Sequence, residues 1–288
     1  MNPLESRESL RCVENQSPTV ATLLELPVRD RLDAAALGHF AAIHVDSLIS
    51  VFRTVREQPV EAVLVSPSLI RHDQLPVVAE LTRQFPDVPA VAAVSQHDRL
   101  ATERLLQLGT YGVREVVDLT VPDGWNKLRE LVAQHGGRTA SRVMGALNAA
   151  LTGATAEVRY FFEILVAVAP RLSCVRALAR ELRVVPSTLM SRFYRESLPS
   201  PKTYLATMRL LYAAALLRSP GLSIADVAYQ LQYSSPQSFG RHVRVMMSLT
   251  AGEFRYRFTF AAMLDRYTER LVAPYQATFQ SFYPLQAA

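Results

Sequence analysis

Acids, bases and nucleophiles are spread along this 288-residue chain in ways that organise little catalysis. His39 and His44 stand five residues apart, which is neither an HExxH pattern nor a matched pair on one helix face. His72-Asp73 and His97-Asp98 fall where apolar runs give way to amphipathic stretches, and capping or solvent exposure accounts for them better than metal binding. Cys12 and Cys174 are too far apart to make a metal-ligand spacing. Ser66, in VLVSPS, lacks the glycine-flanked elbow of a hydrolase nucleophile, and no glycine-rich turn follows the first apolar run to cradle a phosphate. The expectation is therefore a protein that binds rather than an enzyme, with no cofactor and no metal.

Charge gives the first direction. Residues 1–140 hold 14 Lys/Arg against 18 Asp/Glu, a net −4; residues 141–288 hold 17 against 8, a net +9. A basic half beside an acidic one points to a polyanionic partner for the basic half. Hydrophobic residues make up 49% and charged residues 20%, enough for real cores and the composition of a globular protein. The densest apolar run, Phe161 to Ala169, is short and interrupted by Glu163, far from the ~18 apolar residues that span a bilayer. Residues 1–17 are polar and lack the apolar middle of a signal peptide. A cytoplasmic protein with reduced thiols and no membrane partner is expected.

These charges need a scaffold, and the pattern supplies two. Apolar runs at 20–26, 42–45, 62–66, 89–95 and 112–119 alternate with helix-like segments near 31–40, 47–58, 74–85, 98–108 and 123–135. Continuous rather than alternating apolarity suits strands covered on both faces, so a five-stranded, doubly wound parallel sheet is expected. Over 18–137 this rhythm resembles the receiver domains of two-component signalling. That resemblance implies an acidic pair after strand one, an aspartate after strand three and a lysine after strand five. Here Leu26-Pro27-Val28, Ser66, and Val117 or Asp118 fall at those places. The expectation is a pseudo-receiver, a flavodoxin-like domain that is not phosphorylated on aspartate.

The second half is internally repeated. Leu178-Ala179-x-x-Leu182-x-Val184 with Leu189 and Phe193 matches Val227-Ala228-x-x-Leu231-x-Tyr233 with Phe239 and Val243, at an offset of 49 growing to 50. Each run reads as two helices, with the small Ala179 or Ala228 at a close crossing. Pro186 and Pro236 suit first helical turns, and Ser235 suits an N-cap. Between the runs, roughly Lys202 to Arg218 reads as one helix of about 25 Å. It could hold two reading heads near the ~34 Å separation of successive major grooves.

Residues 157–258 resemble the AraC-type DNA-binding domain, through LARELRVVPSTLMSRFYRESLPSPKTYLATMRLLYAAALL and LSIADVAYQLQYSSPQSFGRHVRVMMSLTAGEFR. The resemblance implies an all-α domain whose two helix-turn-helix units read adjacent major-groove segments. It places Ser187, Thr188, Met190 and Ser191 on the exposed face of the first recognition helix, with Arg192 and Arg195 near phosphates. On the second it places Gln237, Ser238 and Arg241, with Arg244 beside them, and Lys202 toward phosphate at the start of the connecting helix. Arginine pairs with guanine and glutamine with adenine, so the second helix is the better equipped. Where the family pattern has turn glycines, this chain has Arg183 and Gln232, and after the recognition helices Leu198 and Ser248. Val243 stands for an aromatic anchor and Ala251 for a proline.

The expected organisation is a flexible tail (1–17), the pseudo-receiver (18–137), a linker with a short helix (138–156), the AraC-like domain (157–258) and a helical extension (259–288). Met263, Leu264, Tyr267 and Leu271 in that extension form a stripe expected to pack back on the molecule, with a partner surface as the sharper alternative. The reading is a bacterial transcription regulator with double-stranded DNA as partner. A second copy through the pseudo-receiver, and RNA polymerase or another regulator, are further candidate partners. An interaction adaptor with a degenerate DNA-binding domain, and a small-molecule-sensing regulator, are the rival readings.

Overall fold

Four or five consecutive apolar residues make a strand that needs cover on both faces, and helices supply it. In the computed structural model, which describes residues 17–135 and 137–285, the central strands of the first half of the chain follow that rule. β1 (Thr19–Leu23), β2 (Ala41–His44), β3 (Ala62–Val65), β4 (Ala90–Val94) and β5 (Glu115–Asp118) form one sheet in the order β2-β1-β3-β4-β5. All pairs are parallel; Val20 lies between Ala42 and Ala62, Val63 faces Ala90 and Val91 faces Glu115. Every residue of β3 and β4 is buried, while the edge strand β2 is partly exposed. This is the doubly wound, flavodoxin-like order, with its switch point between β1 and β3.

Helices α1 (Leu26–Ala36), α2 (Leu48–Glu57), α3 (Leu75–Gln84), α4 (Arg99–Thr110) and α5 (Pro122–His135) complete this unit. Leu32, Leu128 and Val132 pack with Val20, Leu64, Val91 and Val117 into one core. The first helix starts earlier than the sequence reading placed it. The apolar run does not continue as strand to Leu26, because Pro27 in the first turn opens α1 there. At Gly124 a Cβ would lie 1.6 Å from the Asp118 carbonyl oxygen, so the start of α5 can approach the end of β5 only with glycine. Asp98 caps α4, its carboxylate accepting from the Ala101 N–H at 2.6 Å. The expected N-terminal tail, apart from Ser17, lies outside the described residues.

The second unit, chiefly residues 137–285, is helical. The stretch expected as a linker forms α6 (Arg138–Ala150), with Val143 and Leu147 fully buried. Then come α7 (Ala156–Val168), α8 (Val175–Glu181), α9 (Pro186–Arg195), α10 (Pro201–Leu216), α11 (Ile224–Gln230), α12 (Pro236–Met247), α13 (Ala251–Arg257), α14 (Phe260–Leu271) and α15 (Gln276–Phe279). Most of α10 is buried, and α14 lies along it.

Phe161, Phe162, Phe193 and Tyr204 form an aromatic cluster with ring centroids between 5.0 and 6.0 Å apart. The C-terminal extension completes it: Phe279 lies 5.8 Å from Phe162, and Phe282 lies 5.0 Å from Phe193. Each such pair adds ~0.5–1.5 kcal/mol beyond the area it buries. The Thr155 hydroxyl donates to the Phe282 carbonyl at 2.6 Å, and the Leu285 N–H donates to Glu157 at 2.7 Å. The extension therefore packs back on its own unit.

Candidate nucleic-acid interface

Two short helix pairs in the second unit are built alike. α8 turns into α9 through Arg183, at φ +53°, and α11 turns into α12 through Gln232, at φ +55°. Across these turns the Val184 N–H donates to the Ala179 carbonyl, and the Tyr233 N–H to the Ala228 carbonyl, each at 2.9 Å. Such bonds close a helix end around one left-handed residue, a place where glycine is usual because a Cβ there costs ~1 kcal/mol or more. Ala179 and Ala228 are fully buried, as are Leu189 and Phe239 on the following helices. Pro186 and Pro236 occupy first turns, and the Ser235 hydroxyl accepts from the Ser238 N–H.

A second left-handed residue follows each second helix of a pair, Ser197 at φ +55° after α9 and Ser248 at φ +57° after α12. In the first unit this corrects the sequence reading by one position. Leu198 is buried and its N–H donates to the Phe193 carbonyl at 2.9 Å, which requires the residue before it to turn left-handed. Among the described residues these four positions carry the non-glycine left-handed backbone.

The centre of the unit is held by a buried cation. Arg209 of α10 is 2% exposed; its Nη1 donates to the carbonyls of Ala169 at 2.9 Å and Leu172 at 2.6 Å, and its Nη2 to that of Leu231 at 2.6 Å. Its guanidinium also lies 4.4 Å from the Tyr233 ring centroid. One fork thus ties the segment after α7 to the end of α11. The Tyr233 phenol in turn shares a hydrogen bond with His242 Nδ1 at 2.5 Å. Burial, and then the charge of Arg209, push His242 down to about 4, so its ring is neutral. Its Nε2 has no partner among the described residues.

Residues 178–257 match the family described as helix-turn-helix domain. The chain is 28% identical over 85 residues to the lactose operon transcription activator of Staphylococcus xylosus, over 30% of this chain and 30% of that protein. The helical pairs form an AraC-type helix-turn-helix domain. The chain spans 30% of the length of that curated relative. Among solved structures it is similar to full-length FixJ from B. japonicum, 12% identical over 82% of this chain and 100% of that one, at a TM-score of 0.36. It is also similar to NtrX from Brucella abortus in complex with ADP, 9% identical over 94% and 84%, at a TM-score of 0.35.

Within the AraC-type domain the expected reading residues divide by what holds them. Gln237, Arg241 and Arg244 are exposed on α12. Ser238 is committed locally: its hydroxyl lies 3.0 Å from that of Ser234 and 3.1 Å from that of Ser235. On α9, Ser187, Met190, Ser191 and Arg195 are exposed and Thr188 is half-buried. Arg192 is drawn aside, donating to the Pro284 carbonyl at 2.7 Å. Lys202 is exposed in the first turn of α10. Sequence reasoning passed over Arg209 and the exposed Tyr194. The signal for Arg209 was its place between Leu205 and Tyr212, both on the apolar stripe, where a cation must find buried acceptors.

The edge of the sheet at the strand C-termini carries the other polar cluster. Because β1 ends at Leu23, the residue at that edge is Glu25, which the sequence reading overlooked by running the strand on to Leu26. The fully buried Ser66 hydroxyl donates to Glu25 Oε1 at 2.5 Å, and Ser95 donates to Oε2 at 3.3 Å. Nearby, His97 Nε2 lies 2.9 Å from the carboxylate of Asp118. The Thr120 hydroxyl bonds to Asp118 and is the largest cause holding that carboxyl below its ordinary range. Among the described residues no group of three or more His, Cys, Asp or Glu could hold a metal ion. No described helix is long and apolar enough to cross a membrane.

Proposed function

We propose that this chain is a sequence-specific, double-stranded-DNA-binding transcription regulator, whose flavodoxin-like unit serves regulation, self-association or docking without aspartate phosphorylation. The observation that carries the reading is the duplication: two recognition helices, α9 and α12, on matching supports either side of α10. The net +9 of residues 141–288 favours a polyanionic partner. RNA polymerase or a second regulator, and a second copy of the chain, are the partners such a protein would meet in the cytoplasm. It would act by binding rather than as an enzyme.

The test is selection of duplexes retained by the full chain from random DNA, followed by affinity at several salt concentrations. The expected log–log slope is about −0.9 per neutralised phosphate. Arg241→Ala should cost ~1–3 kcal/mol at the selected site and relax one base preference. Lys202→Ala should weaken selected and scrambled duplexes alike. A flat salt dependence would favour the interaction adaptor. For the first unit, acetyl phosphate with magnesium should leave no acid-labile phosphate by mass spectrometry. Support comes from Ser66, a buried hydroxyl already donating to Glu25 where a carboxylate nucleophile would be needed.

A further inference from the structure

We infer that the first recognition helix, α9, reads thymine methyl groups through Met190 and Tyr194, so that the two helices recognise chemically different half-sites. The inference rests on the DNA-binding reading above and says what α9 contacts. Leu189 and Phe193 of α9 are buried, so its opposite side is the face offered outward. On that side Met190 is 38% exposed and Tyr194 is 85% exposed, flanked by Ser187 and Ser191. Met190 and Tyr194 are four residues apart, about 6 Å along the helix, so they form one continuous apolar ridge.

A single exposed methionine on a protein surface means nothing in itself. Here the duplication gives the ridge a context. At the offset of 50 residues, Ser187, Ser191 and Tyr194 of α9 correspond to Gln237, Arg241 and Arg244 of α12. The position that presents a guanidinium on one helix presents a hydroxyl or a phenol on the other. Of the two guanidinium groups on α9, that of Arg192 is engaged with the Pro284 carbonyl, and that of Arg195 stands exposed at the last residue of the helix, one turn past Ser191. From Ser187 to Tyr194 the outward face of α9 offers apolar contact and weak hydroxyl bonds, and the charge of Arg195 at the helix end is placed for phosphate rather than for a base. In the major groove the feature that an apolar side chain recognises is the thymine C5-methyl, whereas the acceptors of guanine call for the arginines of α12.

The experiment uses the full chain and its selected duplex. The half-site whose preference relaxes in Arg241→Ala belongs to α12, and the other to α9. Thymines in the α9 half-site are then replaced one at a time by deoxyuridine, which removes the methyl and leaves the hydrogen-bonding edge unchanged. Wild-type protein should lose about fourfold in affinity at a contacted position, the factor that burying one methyl group gives. In the double variant Met190→Ala, Tyr194→Ala the uracil penalty should vanish. Both side chains are exposed, and unchanged melting of the variant checks that it folds. Equal wild-type affinity for thymine and uracil duplexes would overturn this inference alone, as would a full penalty in the double variant. Failure to retain any duplex would overturn the DNA reading and this inference with it.

Discussion

Replacing Arg209 by methionine keeps most of the side-chain volume and removes the fork that joins α10 to its neighbours. Three carbonyl oxygens, at 2.6 to 2.9 Å, would lose their donor. Charge-assisted bonds of this kind contribute ~1.5–3 kcal/mol each, and stacking on Tyr233 adds ~1 kcal/mol. Against that, burying a guanidinium costs several kcal/mol, which the methionine recovers. The residue of these opposed effects is ~3 kcal/mol, close to ~1 kcal/mol for each carbonyl left without a donor. For a unit of this size that predicts a fall in melting temperature of ~6–12 °C. Thermal unfolding followed by far-UV circular dichroism measures the fall. Hydrogen exchange should show lost protection both after α7 and at the end of α11, because Arg209 touches both. Arg209→Lys should fall between the two, since one ammonium cannot serve three separated acceptors. A shift below ~2 °C for Arg209→Met would refute the reasoning, because it would put the whole network under ~1 kcal/mol.

Three further outcomes are expected. Arg183→Gly and Gln232→Gly should each stabilise by ~0.5–1 kcal/mol in denaturant titrations, since each relieves a left-handed Cβ; a loss would mean that these side chains hold their turns. His242, at about 4 when folded against an ordinary 6.5, refuses a proton that the unfolded chain accepts. Stability should therefore fall by up to ~3 kcal/mol as pH drops from ~6.5 to ~4 and stay level above ~7, and His242→Gln should flatten that slope in pH-dependent melting. Phe282→Ala should cost ~3 kcal/mol by opening a cavity against Phe193; a change under ~1 kcal/mol in urea unfolding would show the extension to be peripheral.

The periodic parts of this fold were legible in the sequence, and for a definite reason. Buried strands and helix pairs repeat their apolar spacing, so Leu178-Ala179 and Val227-Ala228 announced their own equivalence and the sheet announced its five strands. The turns at Arg183 and Gln232 were legible through the resemblance to the AraC-type pattern, which has glycines there, and both residues are left-handed. What was hidden depends on contacts distant in sequence. The bonds of Arg209 reach across 40 and 22 residues to carbonyls, which leave no trace in side-chain pattern. Glu25 was missed for a smaller reason: Leu23, Leu24 and Leu26 read as one apolar run, and only Pro27 marked that the strand had already ended. On the candidate site, the exposed positions were those the resemblance implied, but the diversion of Arg192 to Pro284 required the folded C-terminal segment.

The duplicated domain separates two kinds of constraint. The residues that repeat between its halves are those that hold helix against helix: Ala179 with Ala228, Leu189 with Phe239, Arg183 with Gln232, Ser197 with Ser248. Each pair solves the same local problem, a close crossing, a core contact or a left-handed closure, and the solution tolerates changed chemistry as long as size and backbone geometry are met. The outward positions obey no such rule. Ser191 against Arg241, and Tyr194 against Arg244, differ in charge, reach and hydrogen-bonding capacity while occupying equivalent places on equivalent helices. Packing cannot be the source of that difference, because these side chains are exposed in both halves. On the DNA reading, the consequence is that electrostatic attraction concentrates at α12. Mutations of Arg241 and Arg244 there should reduce the dependence of binding on salt, whereas those of the uncharged Met190 and Tyr194 on α9 should change which sequence is preferred and leave that dependence alone.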